Sequence, residues 1–132
     1  MKNGRALERV LYVEDEPDIQ AVADLALGAI GGLVVKVCGS GKEALAEAPG
    51  FHPDLILLDV MMPGMDGPAT LAAIRADARL AETPVVFISA RVQAREVAEY
   101  RRLGALDVIA KPFDPMSLAD RLREIWRNGH EV

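Results

Sequence analysis

Five short apolar runs recur along this chain, and the segments between them keep a different period. The runs are "RVLYV" (9–13), "LVVKV" (33–37), "DLILLD" (54–59), "PVVFIS" (84–89) and "LDVIA" (106–110). Each has the length of a strand. The third and fourth are apolar without alternation, which is the pattern of a strand covered on both faces. After the first run, apolar residues at 19, 22, 25, 26 and 30 fall at helical spacing and stop at Gly31-Gly32. "GKEALAEA" (41–48) reads as a short helix stopped by Pro49-Gly50. Gly67-Pro68 opens "ATLAAIRADARL", with the proline early in the helix, where its missing N–H costs nothing. "RVQAREVAEYRRL" is a charged helix ending at Gly104, and "PMSLADRLREIWRN" (115–128) is an amphipathic helix ending at Gly129. Five strands alternating with five helices imply parallel strands, right-handed crossovers and helices on both sheet faces. That is a doubly wound α/β fold.

A chain of 132 residues, 51% hydrophobic and 27% charged, suits one globular domain with a single apolar core. No apolar run approaches the ~20 residues needed to cross a bilayer. The opening "MKNGRALERV" lacks the apolar core of a signal peptide. The single cysteine, Cys38, excludes an internal disulfide, reads as a small buried hydrophobe and fits a reducing cytoplasm. A net charge of −5 disfavours binding to nucleic acid through a dominant basic face.

Open α/β sheets place their working site at the carboxyl ends of the strands. The first run ends in Glu14-Asp15, with Glu16 next; the third ends in Asp59, the fourth in Ser89 and the fifth in Lys111. The second ends in Gly39-Ser40 and offers little. Packed carboxylates repel unless a cation sits among them. Oxygen donors with no His or Cys beside them favour Mg²⁺ over zinc. A carboxylate held beside such an ion can attack an activated phosphoryl group, and Asp59 is the best candidate because it leaves the central apolar strand. Glu14 and Asp15 suit metal binding. Lys111 supplies a charge, and Ser89 a hydroxyl, for phosphoryl oxygens. No general base for hydrolysis stands out, so the set reads as a phosphoryl acceptor.

Taken in order, "LYVEDE", "PDLILLDVMMPGMDG", "PVVFISA" and "LGALDVIAKPF" resemble the response-regulator receiver domain of two-component signalling (CheY-like), over about residues 9–127. The resemblance implies a flavodoxin-like sheet of strand order 2-1-3-4-5. It also implies Asp59 as phosphoacceptor, Mg²⁺ held by Glu14, Asp15, Asp59 and the Met61 carbonyl, and Ser89 and Lys111 as partners of the phosphoryl group. A cis Lys111-Pro112 bond, phosphodonation by a histidine kinase or histidine phosphotransfer protein, and a cytoplasmic location follow from it too. Chemistry would stop at self-catalysed phosphoryl transfer and slow autodephosphorylation. Output would pass to an unidentified protein through the face formed by the fourth helix, fifth strand and fifth helix, where Arg91, Arg95, Arg101, Arg102, Arg121 and Arg123 lie amid acids. The chain is expected to be one receiver domain over 1–132, with no output domain, no direct nucleic-acid contact and no membrane insertion.

One position departs from the family. Three residues before Lys111, where the family usually carries the aromatic half of its switch, stands Val108. That keeps open a phosphate sink or scaffold with weak switching. A phosphatase working through an aspartyl phosphate commonly needs an acid two residues after the nucleophile, and Met61 stands there. Elsewhere, Met62 and Met65 read as loop packing, Asp66-Gly67-Pro68 as a helix start, and Asp15 or Glu16 as a cap of the first helix. His52 and His130 read as surface residues; Tyr100 and Trp126 read as core or as partner surface.

Overall fold

The computed structural model describes residues 5–129; His130 lies outside them. The elements alternate as β1 (Arg9–Val13), α1 (Pro17–Asp24), β2 (Val34–Cys38), α2 (Gly41–Phe51), β3 (Leu55–Asp59), α3 (Gly67–Ala76), β4 (Val85–Ser89), α4 (Ala94–Arg102), β5 (Asp107–Ala110) and α5 (Leu118–Gly129). All strand pairs are parallel and the sheet order is β2-β1-β3-β4-β5, as expected. β3 and β4 are buried throughout. Pleat alternation sends Val10, Tyr12, Leu55, Leu57, Val86, Ile88 and Ile109 towards α1 and α5, where Leu118, Leu122, Ile125 and Trp126 complete one core. The opposite rows, including Leu11, Ile56, Leu58, Phe87 and Val108, meet α2 and α3 in a second.

Several boundaries differ from the sequence reading for physical reasons. α2 does not stop at Pro49; it runs to Phe51 with the proline inside it. Pro49 removes one helical N–H, but the Phe51 ring packs on the second core. Arg9 also holds that end, its guanidinium 4.2 Å from the Phe51 ring centre and its Nε donating to the Phe51 carbonyl at 2.9 Å. Exposed His52 then closes the helix in the left-handed region, at φ 56°. α1 continues as a π-helical stretch over Leu25–Ile30. Gly31 ends it against α5, where a Cβ would collide with the Ala119 methyl. α4 begins only at Ala94, where the Glu96 carboxylate accepts the Gln93 N–H at 3.0 Å. α5 begins only at Leu118. Glu16 occupies the N-cap of α1 but makes no side-chain cap bond. Asp66 does cap α3, accepting from the Ala69 N–H at 2.9 Å. Trp126 and Cys38 are buried, as is Met62, while Met65 is half-buried.

Asp54 pins the edge of the sheet away from the strand carboxyl ends. It is buried, accepts the Glu8 and Arg9 N–H groups at 3.0 and 2.9 Å, and pairs with Arg5 at 2.7 Å. Burial opposes its charge, but these donors outweigh that cost and hold its pKa below the ordinary value.

After β3 the chain turns so tightly that a Cβ on Gly67 would lie 2.7 Å from Val60 Cα and 2.8 Å from the Asp59 carbonyl oxygen. Gly67→Ala should therefore lower stability by about 1–3 kcal/mol in urea titration. Gly50→Ala meets nothing within 4 Å on α2 and should raise it by about 0.5–1 kcal/mol. Equal effects at the two positions would show that close approach at Gly67 is not what excludes a side chain.

Candidate functional site

The strand registers bring the ends of β1, β3, β4 and β5 level at one edge. Carboxylate oxygens of Glu14, Asp15 and Asp59 lie within 4.8 Å of one another there. Glu14 and Asp59 are buried and Asp15 is half-buried. Lys111 reaches across from β5, its Nζ 2.9 Å from Glu14 Oε1 and 3.2 Å from Asp59 Oδ2. The Lys111-Pro112 bond is cis. Three acids and one lysine leave a local excess of negative charge in a mostly desolvated place.

That excess is visible at Asp59. Burial first, and then the neighbouring Glu14 charge, push its pKa up to about 6; Lys111 and the Met61 N–H pull against them. Burial opposes the Lys111 charge, but Glu14 and Asp59 outweigh it and hold the ammonium pKa above its ordinary value. A divalent cation fits this donor set, because it would remove the repulsion that raises Asp59, and hard oxygen donors are the ligands present. The Met61 N–H donates to Asp59 Oδ1 at 3.3 Å, and its side chain is 70% exposed.

Ser89 is buried at the same edge but is engaged elsewhere. Alternation places it in the row of Val85 and Phe87, on the α4 side, whereas Asp59 continues the Leu55 and Leu57 row. Its Oγ accepts from the Arg91 N–H at 3.0 Å and lies 3.4 Å from the Tyr100 hydroxyl. Val108 is buried beside Phe87 in the β4–β5 register.

Three supporting residues escaped the sequence reading. The Tyr12 hydroxyl donates to Glu14 Oε1 at 3.2 Å from beneath the site. Burial, reinforced by the Glu14 charge, raises the phenol pKa, so it stays protonated as a donor. Gln20 Nε2 donates to the Glu14 carbonyl at 2.6 Å. Tyr100 meets Ser89 from α4. Tyr12 passes for strand filler because a phenol two residues before an acid is a signal only if both point to one face.

The sign of the pH response follows from Asp59. Its ordinary pKa is 3.8 and its folded value is about 6, so the folded form holds the proton more tightly than the unfolded chain. Stability from this group is fully present below the unfolded value and is lost as pH rises through the folded one. Asp59→Asn should thus stabilise the cation-free protein by about 1–2 kcal/mol at about pH 8, with the gain vanishing below about pH 4. Thermal melts of both proteins across that range read this directly, and a gain that grows on acidification would contradict it.

The sequence and fold have close parallels. The family model described as "Response regulator receiver domain" matches residues 10–123. The DNA-binding response regulator MtrA of Mycolicibacterium smegmatis is 33% identical over 124 residues, covering 94% of this chain and 53% of that protein. The probable transcriptional regulator ycf27 of Guillardia theta is 35% identical, covering 95% of this chain and 48% of that protein. The chain thus spans about half the length of these curated relatives. The structure of the chemotaxis protein CheY4 of Vibrio cholerae superposes with a TM-score of 0.82 at 30% identity, over 91% of this chain and 99% of that one. A shared strand order, a matched family model and an acidic cluster at the expected edge lead to one conclusion: the chain belongs to the response regulator receiver domain family.

Proposed function

We propose that the chain is a phosphorylation-controlled signalling module that accepts a phosphoryl group on Asp59. The observation that carries this is the Glu14–Lys111–Asp59 bridge within a cluster of three carboxylates. Glu14, Asp15, Asp59 and the Met61 carbonyl would hold Mg²⁺, which when bound neutralises the carboxylates and the incoming phosphoryl oxygens. An Asp59 carboxylate oxygen forms the new bond to phosphorus while the bond from phosphorus to the donor's imidazole nitrogen breaks, and the electron pair leaves with the imidazole. Lys111 is already beside Asp59 Oδ2, so its ammonium pairs with a phosphoryl oxygen with little movement. Ser89 supplies a second donor once its hydroxyl turns from the α4 side.

The donor is a histidine kinase or histidine phosphotransfer protein, and the setting is the cytoplasm. Among the described residues no helix is long and apolar enough to cross a membrane. Output runs through α4, β5 and α5, where Arg101 and Arg121 both pair with Asp107, at 2.9 and 3.6 Å. Arg123 does not join that face; it turns towards α1 and donates to the Gly31 carbonyl at 2.6 Å. Turnover is limited to self-catalysed transfer and slow loss of the phosphoryl group, since Met61 places no acid two residues beyond Asp59.

Incubation with acetyl phosphate and Mg²⁺ should add one phosphoryl mass to the wild type and none to Asp59→Asn, read by intact mass spectrometry. Labelling of Asp59→Asn would overturn the assignment. Millimolar Mg²⁺ alone should raise the melting temperature, and Asp15→Asn should weaken that rise. At free Mg²⁺ about 100 times its dissociation constant the gain is about 2.7 kcal/mol.

A further inference from the structure

α4 is held to the sheet differently from every other helix. None of its side chains is fully buried, and its footing on the second core is Val97 and Tyr100. The Tyr100 ring stands edge-on to Phe87, with centroids 5.3 Å apart and planes at 80°. Its hydroxyl ends 3.4 Å from Ser89 Oγ. Phe87 and Ser89 share one sheet face, and β5 presents Val108 beside Phe87 there. No ring comes from β5 on this face; the ring comes from the helix.

We propose that Tyr100 is a positioning residue for Ser89, and that it carries the phosphorylation state of Asp59 into α4. The inference rests on the phosphoacceptor reading above. Ser89 Oγ has one proton and two acceptor sites. It accepts from the Arg91 N–H and meets the Tyr100 hydroxyl, both on the α4 side. A phosphoryl group on Asp59 presents strong acceptor oxygens at the same edge and draws the Ser89 hydroxyl towards them. The Ser89–Tyr100 contact then breaks or re-forms at a new position. Since the same ring is a main foothold of α4, a shift of the Tyr100 hydroxyl is a shift of the helix. Val108 leaves β5 without a ring to share that role.

The test is Tyr100→Phe, which keeps the ring against Phe87 and removes the hydroxyl. Amide spectra of α4 are recorded before and after beryllofluoride, a phosphoryl mimic, together with the ring signals of Tyr100 in the wild type. Acetyl phosphate labelling is followed in parallel. The proposal expects the wild-type Tyr100 ring signals to move on beryllofluoride addition, and the α4 amide response to shrink in Tyr100→Phe with the melting temperature kept. Because the phosphorylated form no longer has to give up the Ser89–Tyr100 contact, labelling of Tyr100→Phe at fixed acetyl phosphate should rise about 2- to 10-fold. Ser89→Ala combined with Tyr100→Phe should match Ser89→Ala alone, since the two act through one contact.

A purely structural Tyr100 would leave the ring signals, the α4 response and the labelling of Tyr100→Phe like those of the wild type. That result overturns the inference. Tyr100→Leu, which also loses the ring, separates packing from coupling through its lower melting temperature. Failure of the wild type to gain a phosphoryl group at Asp59 would instead bring down the phosphoacceptor reading and this inference together, so the two failures are distinguishable.

Discussion

The site depends on one lysine held between two buried carboxylates. Glu14 and Asp59 are almost wholly removed from solvent, and a buried carboxylate without a counter-charge costs several kcal/mol. Lys111 is the cation that makes the pair tolerable, and its bonds to both acids join β1, β3 and β5 across the sheet. The Lys111 N–H also bonds the Ser89 carbonyl at 2.8 Å, extending the β4–β5 ladder beyond Ala110. The lysine is therefore placed by the backbone before its side chain selects partners. One positive charge against three negative ones leaves room for a further cation. The same imbalance that raises the Asp59 pKa suits the edge to a divalent cation, and the proposed phosphoryl acceptance at Asp59 builds on it.

The two faces of the sheet are built to different standards. α5 sinks Leu118, Leu122, Ile125 and Trp126 into the core beside α1, and the Trp126 Nε1–H donates to the Arg5 carbonyl at 2.7 Å. That side holds Glu14 from below through Tyr12. α4, by contrast, is strongly charged and rests on partly buried side chains. Elements with little buried apolar surface open and shift at low free-energy cost. Under the proposed function, a change in charge at the strand ends would meet a deeply buried helix on one side and a shallowly seated one on the other. Ser89 lies between them, buried at the site's edge but bonded towards the helix.

Most of the architecture was legible in the chain because strand and helix periods alternate without interruption, and a polar residue ends or immediately follows four of the strands. β1 was read to the residue, and the other strands were read to within one residue at either end. The errors fell where long-range packing overrides a local rule or where a local turn delays a helix. Pro49 looks like a stop, but the contacts of Phe51 with Arg9 and the second core carry α2 past it. The late start of α5 reflects a turn in which the Ser117 N–H bonds the Asp114 carbonyl at 3.1 Å.

What the sequence determined by itself was the alternation, and with it which carboxylates, hydroxyl and lysine stand at strand ends. Those are properties of local period and order along the chain, and they need no knowledge of neighbours. What only the tertiary structure decided was which of those groups face one another and what supports them. Parallel register and pleat alternation set Glu14, Asp59 and Lys111 in contact while turning Ser89 to the other face. Val108 looked like a missing ring when read along its own strand. In three dimensions the ring that reaches Ser89 belongs to Tyr100, because α4 folds back over Phe87 and brings its hydroxyl there.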